Sequence, residues 1–463
     1  MKKLLYILFF FLQVVVSAQS DLYKDSPLDY AWKNVGNAGF SAGEAEYTSL
    51  AFSSSGQLYV AFKDVGNSGK TTVMKFDGTT WVNVGNVGFS ASVVDYVCLT
   101  VSPSGEPYVG YEDWGNYLKA TVMKFDGSNW VNVGNAGFSA GEAHWMSLVF
   151  SPTNGQPYVA FSDYEDSAKA IVMKFDGTNW VNVGSSDFSL GEADYPSLAF
   201  DSSGEPYVAY RDDYFYPTFK ATVMKFNGSN WVDVGNAGFS GEIDGIRLAF
   251  SPIGEPYVVY DDFPMDQMAT VMKYNGSNWV IVGNPDFSLG GAGYLSLVFN
   301  PATGEPYVAY ENEGHSNKAT VMKFDGNNWV NVGNAGFSAG EAHWTSLAFS
   351  PTNGQPFVAY EDDANSWKST VMKYDSGYIG INELQESRLS LYPNPATDKI
   401  TVELSGAVKE STVSIVNIEG QQLITHQITQ PTTIFDVSNL PSGVYFVQLT
   451  NDRMVEVGKF VKQ

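Results

Sequence analysis

Seven tryptophans, Trp32, Trp81, Trp130, Trp180, Trp231, Trp279 and Trp329, fall 48 to 51 residues apart, and each opens a W-x-x-V-G segment. A period near 50 residues restricts the fold, because a unit that small must bury its faces against its neighbours. Three further short segments follow each tryptophan. They read like "SLAF" (residues 49–52), "PYVAY" (206–210) and "TVMKF" (121–125), and each kind occurs seven times. All are β-branched or aromatic and are bounded by Gly, Pro, Asn, Asp and Ser, which is strand composition. No sustained helical period interrupts them. Four short strands per unit make a propeller blade.

The phase of the repeat follows from "FDGSNW" (125–130), a tight hairpin signal. It joins each "TVMKF" strand to the tryptophan strand after it, so a blade runs SLAF, PYVAY, TVMKF, tryptophan strand. In that phase the strand at Trp32 has no blade of its own, while the last blade ends "VMKYDSGYIG" (371–380) without a tryptophan. The leading strand is therefore expected to complete the last sheet and close the ring, which removes exposed sheet edges. The expected architecture is all-β: a seven-bladed β-propeller over 27–376 closed by an N-terminal strand, a linker at 377–386, and a small C-terminal antiparallel β-sandwich at 387–463.

Strand alternation sets the faces of this disc. The loops entering the first strands and those between second and third strands share one face. The latter vary most, from "VGNSGK" to "DYFYPTFK", on an otherwise uniform scaffold. At the entry to the first strand stand Tyr47, Tyr96, Trp145, Tyr195, Tyr294 and Trp344, with Gly245 at the seventh position. Asp95, Asp194, His144 and His343 immediately precede four of these aromatics. Aromatic faces beside carboxylates suit sugar rings; the same side chains could instead wedge between blades. An acidic residue or Asn ends each second strand, as at Asp64 and Asp113, where capping of the following loop is expected. Lys124, Lys225, Lys273 and Lys323 are expected to pair across strands with Glu106, Glu205, Glu255 and Glu305.

Composition narrows the partners. Net charge is −24, and Arg211, Arg247, Arg388 and Arg453 are the only arginines, so no basic footprint for nucleic acid exists. Cys98 is the single cysteine, which forbids an internal disulfide. Lys2 and Lys3, the apolar "LLYILFFFLQVVV" and "SAQ" read as a signal peptide over 1–18, too short for a membrane span. No cofactor and no metal site is expected, since single carboxylates at blade spacing do not gather the oxygens calcium needs.

The repeat array loosely resembles Asp-box and kelch-type propellers; its Asp-Gly-x-x-Trp turn is similar to the Asp box of the sialidase type, but Gly78 follows Asp77 directly and the Asp becomes Asn at Asn227 and Asn275. That tolerance marks a structural turn. The end of the chain resembles the C-terminal sorting domain of the type IX secretion system. Tyr392, Pro393, Asn394 and Pro395, the Ile418-Glu419-Gly420 turn, Gly443 and Tyr445, and the closing Lys459 to Lys462 stand in the family's order. The resemblance implies a Gram-negative bacterium of the Bacteroidota, export through the secretion machinery, and removal of the domain by a sortase, leaving the protein released or on the outer-membrane surface.

For the propeller the sequence favours a binding or recognition module for glycan or protein. A sialidase would need an arginine cluster, and a galactose-oxidase-type site a Cys–Tyr crosslink with paired histidines; neither pattern is present. A glycosidase working with two carboxylates stays open because acids are plentiful, as does a purely structural surface protein.

Overall fold

The computed structural model describes residues 31–263, 266–375, 389–404, 411–417, 421–428, 430–451 and 454–463. The expected signal peptide at 1–18, the expected linker at 377–386 and the Ile418-Glu419-Gly420 segment lie outside them. The chain divides into two compact units, one ending at Gly377 and one starting at Tyr378.

In the first unit, seven four-stranded antiparallel sheets follow the expected order. The first blade is Ala45–Phe52, Leu58–Asp64, Lys70–Phe76 and Trp81–Asn83, and the pattern repeats through the sixth. The seventh sheet combines Ala342–Phe349, Pro356–Asp362 and Lys368–Asp375 with the leading strand Ala31–Asn34. Trp32 pairs with Tyr374 and Asn34 with Met372, so the two ends of the array meet inside one sheet.

The tryptophans show that this seam is equivalent to the others. The Trp81 indole Nε1 donates to the Val35 carbonyl at 2.7 Å, Trp130 to Val84 at 2.7 Å, and Trp329 to Val282 at 2.8 Å, each reaching the preceding blade. Trp32 donates to Val332 at 2.7 Å in the same way, across 300 residues of chain. Each indole also stacks on a phenylalanine: Trp32 on Phe337 with centroids 4.3 Å apart, Trp81 on Phe40 at the same distance. Gly333, at φ +76°, makes room for this contact, because a Cβ there would lie 2.9 Å from the Tyr374 ring and 3.2 Å from Trp32.

Second strands such as Pro206–Asp212 are buried on both faces, so each hydrophobic cluster is shared between neighbouring blades. The expected turns and cross-strand pairs form, and loop capping holds at three of the second-strand ends. Asp77 Oδ1 accepts from the Thr79 and Thr80 amides at 2.8 and 2.7 Å, and Asn227 Oδ1 does the same for Ser229 and Asn230 at 3.0 and 2.9 Å. The acid and the amide are interchangeable there because only an acceptor is needed. Asp113, Asp163 and Asp212 cap the loops after second strands through the amides of Gly115, Glu165 and Tyr214, whereas Asp64 caps no backbone amide there and instead accepts from the Asn67 and Thr72 side chains, as Asp362 does from Asn365 and Thr370. Lys225, Lys273 and Lys323 meet Glu205, Glu255 and Glu305 at 2.9, 3.0 and 2.9 Å, and Lys124 meets Glu106 at 3.8 Å.

The second unit is two antiparallel sheets around one core. Leu389–Tyr392, Lys399–Leu404 and Thr432–Asp436 form one sheet; Gln422–Ile428, Ser411–Val416, Gly443–Asn451 and Met454–Lys462 form the other. Ile400, Val413, Ile415, Val447 and Phe460 are fully buried between them. The Tyr392-Pro393-Asn394-Pro395 motif clasps the last strand. Asn394 Nδ2 donates to the Lys459 carbonyl at 3.0 Å, its Oδ1 accepts from the Val461 amide at 3.0 Å, and the Ala396 amide donates to the Val461 carbonyl at 2.8 Å. Tyr445 is buried against Phe460 and donates to the Pro441 carbonyl at 2.8 Å; Lys459 is exposed and Lys462 is buried.

Candidate ligand-binding site

The first strand of each blade is interrupted at one place. Ala45 and Glu46 pair with Asp64 and Lys63, and pairing resumes at Ser49 with Ala61, so Tyr47 and Thr48 together oppose Phe62. This bulge puts the aromatic residue in the left-handed region: φ is 54° at Tyr47, 50° at Tyr96, 52° at Trp145, 54° at Tyr195, 51° at Tyr294 and 53° at Trp344. An L-residue held there costs about 1–2 kcal/mol, and non-glycine strain of this kind gathers at functional sites. Threonines brace the arrangement from the next blade: Thr48 Oγ1 donates to the Trp344 carbonyl and Thr345 Oγ1 to the Tyr294 carbonyl, both at 2.6 Å.

The six rings form a collar. Centroids are 4.9 Å apart for Tyr195 and Trp145, 5.8 Å for Trp145 and Tyr96, 5.3 Å for Tyr96 and Tyr47, 4.2 Å for Tyr47 and Trp344, and 4.5 Å for Trp344 and Tyr294. All six line a central cavity of about 750 Å³, within the range of small-ligand sites. The two roles open to these residues are thus combined: they touch across blades and stay half-exposed to the cavity. The variable loops hydrogen-bond to the segments entering the first strands, as Tyr164 does to Glu142, and carry exposed Trp114, Tyr117, Tyr214 and Tyr216 on the same face.

Asp95, Asp194, His144 and His343 do not line the cavity; each is held by ionic or hydrogen-bonding partners behind the collar. Asp95 is 2.8 Å from Lys63 Nζ and accepts from Trp114 Nε1 at 2.6 Å. Asp194 is bound by Arg211. His144 Nε2 lies 3.7 Å from Glu112 and stacks on Tyr164 at 4.2 Å. His343 lies 3.7 Å from both Glu311 and Glu361, and the neighbouring Glu361 carboxylate raises its pKa. Burial pushes Glu112 up to about 8 and Glu311 up to about 7. Glu192, Asp194 and Asp213 could gather one oxygen each around a cation, but Arg211 already occupies the space between two of them.

The fifth blade departs from the rule, and sequence reasoning passed over it. Gly245 replaces the aromatic and is not left-handed, and its bulge sits one residue earlier, with Ile243 paired to Asp262 and Ile246 to Tyr260. Two positions on, five blades carry a serine whose Oγ accepts an amide from the following blade, such as Ser49 from Leu99 at 3.0 Å and Ser197 from Leu248 at 3.0 Å. Cys98 takes that place in the second blade and Arg247 in the fifth. The signal was visible: "IDGIRLAF" is the only copy of this strand that holds an arginine or lysine.

Residues 390–463 match the family described as the secretion system C-terminal sorting domain. No curated protein matches the chain. Among solved structures, an extracellular domain assigned to a hybrid two component system of B. thetaiotaomicron is 10% identical with a TM-score of 0.50, over 94% of this chain and 59% of that one. The Penicillium chrysogenum α-L-arabinanase, solved with arabinobiose, is 13% identical over 62% of this chain and 94% of that one, with a TM-score of 0.43. The SapL1 lectin, solved with α-methyl fucoside, is 15% identical over 65% and 99%, also at 0.43. No helix among the described residues is long and apolar enough to cross a membrane. The propeller precedes a type IX secretion sorting domain, which directs the protein to the cell surface or the medium.

Proposed function

We propose that the propeller is a recognition module that binds a glycan at the mouth of its central cavity, and that residues 387–463 are removed by a sortase after residues 1–18 have directed export. The observation that carries the binding reading is the collar: six aromatics, each held left-handed, facing one cavity. Packing alone would be served by ordinary strand geometry. A sugar ring needs an apolar face with polar groups at its rim, and the collar with its tyrosine hydroxyls offers both. On a glycan array, Trp145→Ala and Trp344→Ala should each weaken the hits by about thirtyfold, the loss typical of a central aromatic contact. Unchanged binding by both variants would refute the collar as the site. A blank array together with a blank protein pull-down would leave the structural reading standing.

One observation favours a glycoside-active enzyme as the second reading. Asp261 lines the cavity, and burial pushes its carboxyl up to about 7, where it can hand over a proton near neutral pH. Turnover of a chromogenic glycoside by the wild type, lost in Asp261→Asn, would establish that reading over simple binding.

A further inference from the structure

We propose that Arg247 makes the cavity an anion site, so that the ligand is an acidic saccharide whose carboxylate or sulfate seats on its guanidinium. The inference rests on the glycan reading above and names the ligand class.

The collar is open at one point. Its aromatic contacts run from Tyr195 through Trp145, Tyr96, Tyr47 and Trp344 to Tyr294, and the gap between the two ends is the place of Gly245. Arg247 lies two residues further along the same strand and lines the same cavity. A missing ring and an added cation therefore coincide, giving a ligand an opening that leads to a positive charge.

Arg247 lacks the usual company of an arginine in a protein interior. Its side chain is exposed to the cavity, and the protein packed around that cavity pushes its pKa down. Among the described residues no carboxylate lies within 4.0 Å of it; Nη1 donates to the Ile246 carbonyl at 2.8 Å. Asp261, the acid nearest in effect, accepts from the Gly245 amide, and Asp244 is bound by Arg211 at 2.9 Å. A cavity-lining guanidinium with no carboxylate in contact keeps N–H groups free, and their planar array matches a carboxylate or sulfate in two-point geometry. Arg211, the other arginine of the propeller, shows the contrast: it is ion-paired with Asp194, Asp213 and Asp244.

The placement also argues against a structural role. Serine at this position bonds the next blade, and Arg247 removes that bond from the seam toward Leu297. Arg247→Ser restores the repeat, so the variant should melt above the wild type, the reverse of what losing a structural arginine would do.

The experiment titrates the full chain with galacturonic acid oligomers, galactose oligomers bearing sulfate esters, and neutral galactose oligomers of equal length. The wild type should bind one acidic series about tenfold or more above the neutral series, and rising salt should erode that preference. Arg247→Ser should bind the acidic and neutral series alike, while Trp145→Ala should weaken all series and keep the acidic preference. Which acidic series wins distinguishes carboxylate from sulfate. Equal binding of acidic and neutral oligomers by the wild type, or a preference that survives Arg247→Ser, would overturn the anion site and leave the collar intact. Failure of every series would overturn both, as would capture of an acidic peptide in their place. A lower melting temperature for Arg247→Ser would show that the side chain is structural.

Discussion

Trp32→Ala should lower the stability of the propeller by about 3–5 kcal/mol, the usual loss for a buried tryptophan, although the residue stands near one end of the array. At the terminus of an open array the same change would cost little, since terminal strands fray. Here the indole is 8% exposed, donates to Val332, stacks on Phe337 and contacts Tyr374, so its loss opens the seam between the sixth and seventh blades. The seventh sheet would also expose the third strand, Lys368–Asp375, as an unpaired edge wherever Ala31–Asn34 detaches. Urea unfolding of Trp32→Ala and Trp180→Ala gives the comparison, because Trp180 holds the same place in an internal seam. The two midpoints should fall together. If Trp180→Ala lowers the midpoint and Trp32→Ala leaves it unchanged, closure contributes nothing to stability.

The ring could be read from the residues because its rules are local and repeated. A tryptophan every turn of the repeat counts the blades, and an Asp-Gly turn that must join adjacent strands sets the phase. Lys225 and Glu205 were predictable as a pair because antiparallel register puts the end of one strand beside the start of its neighbour. The collar was legible only as a set of positions. Strand patterning assigns each side chain to a face and says nothing about a bulge, so the left-handed geometry of Tyr47 and its equivalents could not be seen. Asp95, Asp194, His144 and His343 were expected at the ligand because they adjoin the aromatics. The structure instead pairs them with Lys63, Arg211, Glu112 and Glu361, residues near the ends of second strands. Arg247 was written in the sequence as a break in a serine column; what it faces depends on where the bulge falls.

Arg211→Ala should be the most damaging change in the propeller that leaves its apolar core untouched, costing about 3–5 kcal/mol above neutral pH. The guanidinium joins Asp194 of the fourth blade to Asp244 of the fifth, with Asp213 at 3.6 Å, and lies over the Phe219 ring at 4.8 Å. Burial already raises Asp194, and it pushes Asp213 up to about 6 with Asp194 adding to the effect; Arg211 restrains both. Without it their folded pKa values climb further above the unfolded value of 3.8. The folded state then binds more protons than the unfolded state, so stability is retained below the unfolded pKa and lost as pH rises through the folded one. The penalty of Arg211→Ala should accordingly be small near pH 4 and full above pH 7, and adding Asp194→Asn should recover part of it. The wild type carries the same sign in milder form. Glu112 at about 8, and Glu311 and Asp261 at about 7, are raised chiefly by burial, and His343 is raised by Glu361. Each stabilises the fold less as pH climbs, so the melting temperature should fall between pH 5 and pH 8.5, with a smaller fall in Glu112→Gln. A flat or rising melting curve across that range would mean that these carboxyls are hydrated in solution and that the acidic ring behind the collar is looser than its packing implies.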